Sequence, residues 1–144
     1  MTTPDTQALE DALSAEYAAV YAYGVVAAYA NPDRLKLVAE YTAAHRARRD
    51  ATIELMERLN ISVPAPDAAY TVPFEVNDPI PAAKLAVTVE SDCAVAWCAA
   101  VEHAGGADVR AYAVGALTDS ALRLATWQSI LGTNPATTAF PGRS

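Results

Sequence analysis

Four ionisable residues stand near the middle of the apolar stretches of this 144-residue chain: Glu16, His45, Glu90 and Asp119. Iron and manganese accept carboxylate and imidazole ligands, so this set predicts a site for a single Fe or Mn ion. Arg48 and Arg123 follow about one helical turn after His45 and Asp119 and offer a different chemistry. Two guanidinium groups and a histidine can neutralise three carboxylates as a buried charge network without a metal. Because arginine beside a ligand set repels a cation, the group favours the network, and no residue is assigned a catalytic role.

The segments that carry these residues have the period of α-helices. Apolar residues recur at steps of three and four within each segment, and Pro or Gly marks the breaks between them. The Ala-rich composition, with 53% hydrophobic residues, indicates an all-α chain. We expect one domain over residues 1–144, with helices at about 5–30, 33–60, 79–104 and 107–131, a crossover linker at 61–78 and a tail at 132–144.

The linker between the second and third helices decides the predicted topology. Extended over residues 61–78 it could cover about 60 Å, whereas a helix of this size is only about 40 Å long. The linker can therefore run the full height of the bundle and place the third helix parallel to the second. The prediction is a ferritin-like four-helix bundle, in which two helical hairpins are joined by one long crossover linker.

Distances along the helices place the four central residues in two facing pairs. Glu16 lies about 22 Å before the first turn and His45 about 18 Å after it, at the helical rise of 1.5 Å per residue. Glu90 and Asp119 lie about 22 Å and 20 Å from the turn between the third and fourth helices. We therefore expect each pair to meet at one height, with all four side chains turned towards the core.

The same residues fit only part of a di-iron motif. Ferritin-like di-iron proteins place one Glu on each of two helices and Glu-x-x-His on each of the other two. Glu16 and Glu90 occupy the single-Glu places, but the second helix reads Thr42-x-x-His45 and the fourth reads Asp119-x-x-Leu122. One bridging carboxylate and one His are missing, so any such centre is degenerate.

Short motifs along nearly the whole chain resemble a ferritin-like domain family of unknown function found mainly in actinobacteria. The resemblance implies a four-helix ferritin-like fold and no established activity. A His commonly follows the helix-one Glu in that family, and Tyr17 holds this place here. The motifs are Glu16-Tyr-Ala-Ala-Val-Tyr-Ala-Tyr-Gly24, His45-Arg-Ala-Arg-Arg-Asp50, Leu117-Thr-Asp119 and Ala139-Phe-Pro-Gly142.

Charge and cysteine usage limit the partners and the compartment. A net charge of −7 and a pI near 4.6 argue against nucleic acid and anionic membranes. The apolar run at 17–30 is too short to span a bilayer, and the first residues lack the pattern of a signal peptide. Cys93 and Cys98 lie about 140° apart around one predicted helix and cannot bridge each other, so both are expected as free thiols in a reducing cytoplasm.

The first helix predicts an interface. Residues 17–30 are apolar around the whole circumference, although a bundle helix needs only one apolar stripe. Tyr21 and Tyr29 belong to the expected outer face, and aromatic residues are common interface anchors. We expect a homodimer through helix one, with or without helix two. The alternative is that the tail at 133–144 covers this face, with Phe140 as its apolar plug.

Three function classes remain open from the sequence, and whether the protein is an enzyme is open with them. The first is a non-enzymatic dimeric scaffold or binding module that contains a degenerate di-iron centre. The second is an Fe- or Mn-binding oxidase or storage-type protein with a reduced ligand set, and the third is a binder of a small polar metabolite. In a metal-free network, Arg48→Met is expected to cost a few kcal/mol, because it leaves a buried carboxylate unpaired.

Overall fold

The computed structural model describes residues 3–143 and is all-helical over that range. Its helices are α1 (Pro4–Tyr29), α2 (Leu35–Arg58), α3 (Pro79–His103) and α4 (Ala107–Ile130), and a short 3-10 helix, Pro32–Arg34, precedes α2. The predicted bounds agree to about two residues at each end, which is the ordinary uncertainty of a helix terminus. The predicted domain of residues 1–144 also includes Met1, Thr2 and Ser144, which lie outside the described residues.

Local sequence explains where the helices begin and end. The Thr3 hydroxyl accepts a hydrogen bond from the Thr6 amide, and Pro4 occupies the first helical turn, where its missing N–H costs nothing. The Asn31 side chain accepts from the Asp33 amide and so starts the turn into α2. After α4, Gly132 adopts a φ of 77°, which glycine tolerates without strain and which stops the helix.

Side-chain contacts define the helix directions. Between α1 and α3, Glu16 contacts Trp97 and Tyr23 contacts Glu90, so residue numbers rise along one helix as they fall along the other. Arg48 and Asp119 show that α2 and α4 face each other, and a second α2–α4 contact, between Thr52 and Tyr112, gives the same antiparallel sense. Since α1 and α2 are joined by a short turn, α2 and α3 run parallel. The linker length predicts this direction.

The core lies along α1 and α3, which pack closely on each other, and α3 packs closely on α4 as well. By contrast, α2 and α4 approach one another mainly through long side chains. The largest fully buried apolar side chains are Trp97, Trp127, Tyr23, Leu9, Leu13, Met56 and Leu85. Among residues 3–143, no helix combines the length and apolar character needed to cross a bilayer.

The linker and the tail cover different helices. The linker lies over α1, where the Tyr17 hydroxyl donates to the Pro64 carbonyl at 3.0 Å. The Tyr21 and Tyr70 rings also approach to 5.4 Å there. The tail instead packs on α3 and α4, with Gly142 against the Ala94 backbone. The alternative that the tail covers helix one is therefore wrong, because the tail packs on α3 and α4 and the linker lies over part of α1.

Candidate functional site

The centre of the site is a direct contact between α1 and α2. His45 Nδ1 donates a hydrogen bond to Glu16 Oε2 at 2.7 Å, and both side chains are completely buried. The other oxygen, Glu16 Oε1, accepts from the Trp97 indole N–H at 3.0 Å. Glu16 and His45 therefore contact each other at one height, as expected. Trp97 of α3 is the hydrogen-bond partner of the second Glu16 oxygen.

Glu90 on α3 is the second carboxylate of the site. Its Oε2 accepts from His45 Nε2 at 2.8 Å and from the Tyr23 hydroxyl at 2.5 Å. Arg123 Nε lies 3.1 Å from both carboxylate oxygens and donates to the pair. Glu90 has no exposed surface and the Arg123 side chain very little, so this ion pair is shielded from water. Charge-assisted hydrogen bonds are strongest in such surroundings.

The hydrogen-bond geometry favours a charged His45. Both ring nitrogens face carboxylate oxygens, and an arrangement in which each nitrogen donates a proton makes the ring an imidazolium. Burial by itself lowers the pKa of His45, but the hydrogen bonds to Glu16 and Glu90 outweigh burial and raise that pKa to about 9. Glu16, Glu90, His45 and Arg123, which we term the central network, therefore carry balanced charge.

Aromatic residues enclose the central network and take part in it. The Trp127 indole N–H donates to the Tyr23 hydroxyl oxygen at 3.0 Å, and that hydroxyl donates in turn to Glu90. Burial, with the neighbouring Glu90 charge, raises the pKa of Tyr23 far above its ordinary value, so the phenol keeps its proton. Across residues 3–143, every buried side-chain nitrogen and oxygen has a hydrogen-bond partner.

Asp119 does not join this centre, which corrects its predicted inward position. Its side chain is 50% exposed and accepts from Arg48 Nη2 at 2.7 Å. Arg48 also lies away from Glu16 and Glu90, with its guanidinium 5.1 Å from the centre of the Tyr112 ring. We call Arg48 and Asp119 the outer pair. The sequence predicts one charged group, and the structure divides it into two.

The orientation of α4 about its axis explains the correction. Its buried positions include Ala116, Ser120, Arg123 and Trp127, so Ser120 faces the core where Asp119 was expected. Adjacent residues on a helix point about 100° apart, so Asp119 faces the α2–α4 edge. Arg123 Nη2 donates to Ser120 Oγ at 3.3 Å, and this pair, three residues apart, occupies the inner face of α4.

Cys93, for which the sequence predicts only a free thiol, is a neighbour of the central network. It lies three residues after Glu90 on the buried face of α3, and this helical spacing is the signal that could have placed it in the site. Glu16, His45 and Cys93 each offer a ligand atom, and these atoms lie within 4.8 Å of one another. Burial, together with the charges of Glu16 and Glu90, raises the pKa of the Cys93 thiol, which favours its protonated form.

Comparisons with known proteins give a family and a similar structure. The model for a domain of unknown function (DUF4439) matches residues 8–144. The crystal structure of a conserved hypothetical protein, rv2844, from Mycobacterium tuberculosis is similar, with a TM-score of 0.85 and 42% sequence identity. The match covers 88% of this chain and 96% of that one. None of the curated proteins compared with the chain matches it.

Proposed function

The chain belongs to the DUF4439 family. From its buried site we propose that it is a non-enzymatic, ferritin-like binding module. In this proposal, ion pairs and hydrogen bonds between side chains occupy the place of a di-iron cluster. The up-down-down-up order of the helices, with one long crossover, supports the ferritin-like part of the proposal. The observation that carries the rest is His45, whose two ring nitrogens lie between two buried carboxylates.

The donor set does not fit a di-iron centre. A metal-bound histidine needs a free lone pair on one ring nitrogen, and both nitrogens of His45 point at carboxylate oxygens. Glu90 is also bound by Arg123, whose fixed positive charge repels a cation. Both Glu-x-x-His motifs are incomplete. Thr42, whose hydroxyl donates to the Val38 carbonyl, stands in the Glu place of α2, and the inner face of α4 carries Ser120-x-x-Arg123.

The test is to measure metal content and the protonation of His45 on the same preparation. We expect protein purified without chelator to contain no stoichiometric iron or manganese. Nitrogen-15 NMR should show the His45 ring with protons on both nitrogens at pH 7.5, since its pKa is raised to about 9. The chain contains two histidines, so His103→Gln, an exposed position, serves as the assignment control.

Two results would overturn the proposal. One is stoichiometric iron or manganese that remains through dialysis and is lost in His45→Ala. The other is a His45 ring with one unprotonated nitrogen at pH 7.5, because the hydrogen-bond geometry then does not hold in solution. Either outcome would favour the alternative of an Fe- or Mn-binding oxidase or storage-type protein.

A second candidate function is the binding of a soft divalent cation, and the cluster of Glu16, His45 and Cys93 favours it. Thiolate, imidazole and carboxylate together are the ligand types of zinc sites. One divalent cation that displaces the protons of His45 and Cys93 leaves the net charge of the buried centre unchanged. The raised pKa of the Cys93 thiol opposes this exchange, so we rank this function second.

Titration with Cd²⁺ tests the second candidate, because a cadmium–thiolate bond gives an ultraviolet charge-transfer band. The band should appear in the unmodified protein and in Cys98→Ala, whose thiol lies outside the cluster. It should be absent in Cys93→Ala. The same band in all three proteins, or in none, would rule out a cation site at Cys93.

The third predicted class, a binder of a small polar metabolite at the charged centre, receives less support. The central charges already bind each other, and the buried polar atoms of residues 3–143 all have partners, so a polar ligand would have to displace existing ion pairs. A ligand site on the protein surface would leave these ion pairs intact, so it agrees better with the contacts of the central network. In this proposal the central network stabilises the bundle and does not contact a ligand.

We keep self-association through helix one as part of the proposal. Tyr21 and Tyr29 remain more than two-fifths exposed even though the linker covers part of α1, and Leu35 extends the apolar surface at the adjoining turn. Light scattering at low concentration should report about twice the 15.1 kDa chain mass. A mass of one chain that does not change with concentration would remove the dimer. The acidic net charge and the two free thiols support the proposed cytoplasmic location without nucleic-acid or membrane partners.

A further inference from the structure

A cavity of about 340 Å³ lies between α4 and the tail, away from the central network. One wall is formed by the outer side of α4, including Leu117, Ala121 and Ala125, and the other by tail residues from Ala136 to Pro141. The nearly buried Leu124 also lines it. Its volume is at the lower end of the roughly 300–1,000 Å³ that small-molecule sites occupy.

One glycine allows the end of the tail to pack closely on α3. Gly142 has a φ of 78°, which side-chain-bearing residues rarely adopt, and it packs directly on α3. A Cβ atom at this position would overlap the Ala94 carbonyl oxygen and press on Cys98. The end of the tail therefore follows a defined path on α3, and the cavity has two positioned walls.

The lining indicates the chemistry of an occupant. Most of it is aliphatic, and none of the described residues that line it has a charged or aromatic side chain. Gln128, Thr137 and Thr138 supply neutral hydrogen-bonding groups, whereas the Thr118 hydroxyl already donates to the Val114 carbonyl. A charged ligand would lose its hydration here without gaining an opposite charge, which is costly. A small neutral molecule that is apolar over most of its surface does not pay this cost of losing the hydration of a charge.

We propose that the cavity between α4 and the tail is a binding site for a small, neutral, mainly apolar molecule. The inference deepens the proposed function, since it gives the binding module a site and a ligand class. Leu122, which lines the cavity, is about two-thirds exposed, so apolar surface continues from the cavity to the outside. Such a ligand can therefore enter without breaking the buried ionic contacts.

The first test uses N-phenyl-1-naphthylamine, a neutral apolar fluorophore, on the full-length protein. We expect saturable fluorescence enhancement with about one site per chain. Ala125→Phe fills the cavity and should weaken binding by about tenfold or more, whereas Ala111→Phe should leave it within about twofold. Ala111 is exposed on the same helix and does not line the cavity, so it controls for added hydrophobic surface and for helix propensity.

The second test displaces the tail without entering the cavity. Gly142→Ala should weaken probe binding by about tenfold, because the tail wall cannot keep its path on α3. Gly115→Ala is the matched control, since a Cβ there meets nothing within 4 Å in the described part of the chain. Circular dichroism of each variant checks that the helices are retained. If Ala125→Phe does not fold, the comparison of Gly142→Ala with Gly115→Ala still tests the site.

Defined results contradict the inference. No saturable binding by the unmodified protein would overturn it, and so would equal binding by Ala125→Phe and Ala111→Phe. These failures are distinguishable from failure of the proposed centre, because metal content and His45 protonation are measured independently of the probe. Probe binding unaffected by Gly142→Ala would likewise show that the tail does not form a wall of the site.

Discussion

The central network and the outer pair use the same kinds of residue on the same helices, yet they occupy opposite environments. Glu16, His45 and Glu90 have no exposed surface, whereas Asp119 of the outer pair is half exposed. His45 and Arg48 are only one helical turn apart on α2. One turn along a helix, with its change of about 60° around the axis, is therefore enough to take a charge in this bundle from the buried centre to the solvent-exposed edge.

The energetic meaning of an ion pair differs between the two places. In the core, removing one partner leaves a charge that water cannot solvate, which costs about 3–5 kcal/mol. At the edge between α2 and α4, water replaces a lost partner, and exposed pairs contribute about 0–1 kcal/mol. Three substitutions and a change of pH test this difference between core and edge, and they are given in order of decreasing effect on stability.

Removal of the core guanidinium should have the largest effect. Arg123→Met leaves Glu90 without its Arg123 ion pair and the buried centre with an excess negative charge. We expect a loss of about 3–5 kcal/mol in the free energy of unfolding, measured by urea denaturation. Arg49→Met, which removes the surface pair with Asp50, is the control and should lose at most about 1 kcal/mol. Equal losses in the two variants would erase the distinction between core and edge.

A change of pH should act on the core alone. The pKa of His45 is about 9 in the folded protein against an ordinary 6.5, so the folded state holds this proton more tightly than the unfolded chain. The associated stability is complete below pH 6.5 and decreases as pH rises towards 9, by about 3 kcal/mol in total.

Unfolding measured between pH 6 and pH 9.5 checks this dependence. His103→Gln should retain it, because that histidine is exposed and its ring lies 3.9 Å from Glu102 at the surface. His45→Ala should remove it. A decrease that persists unchanged in His45→Ala would assign the titration to another group.

Removal of the core hydroxyl should have an intermediate effect. Tyr23→Phe deprives Glu90 of a donor and the Trp127 indole N–H of its acceptor. We expect a loss of about 2 kcal/mol by thermal and urea unfolding, because hydrogen bonds to charged groups contribute about 1.5–3 kcal/mol. Tyr17→Phe on the same helix removes a bond to the partly exposed linker and should lose under about 1 kcal/mol. A larger loss in Tyr17→Phe would reverse the proposed ranking.

Removal of the outer carboxylate should have the smallest effect. Asp119→Asn should change stability by at most about 1 kcal/mol, and the difference should shrink at high salt. The loss predicted from sequence for Arg48→Met is revised to the same small range, because its carboxylate partner is half exposed. Unfolding in low and high salt measures both. A loss of several kcal/mol from Asp119→Asn would place Asp119 with the core after all.

Elements with strong local signals agree between sequence and structure. Prolines, glycines and capping residues mark every helix end, so the predicted bounds need little correction. The expected meeting of Glu16 with His45 is also present, since both distances are counted from one short turn. Errors in such counting stay small when the chain between two residues is regular and rigid.

The helices α1 to α4, their order, the crossover between α2 and α3, and the presence of buried charge can be predicted from the amino-acid sequence. The helical period and the caps are local signals, and the linker length limits how α2 and α3 can be connected. Which charges pair with each other depends instead on how the helices pack. A rotation of α4 by one residue replaces Asp119 with Ser120 on the inner face, and α4 is apolar enough in several directions to permit either choice. Packing of α4 against Trp97 and Tyr23 selects between them, because the core must close around Glu90 and Arg123 without leaving a polar atom unpaired.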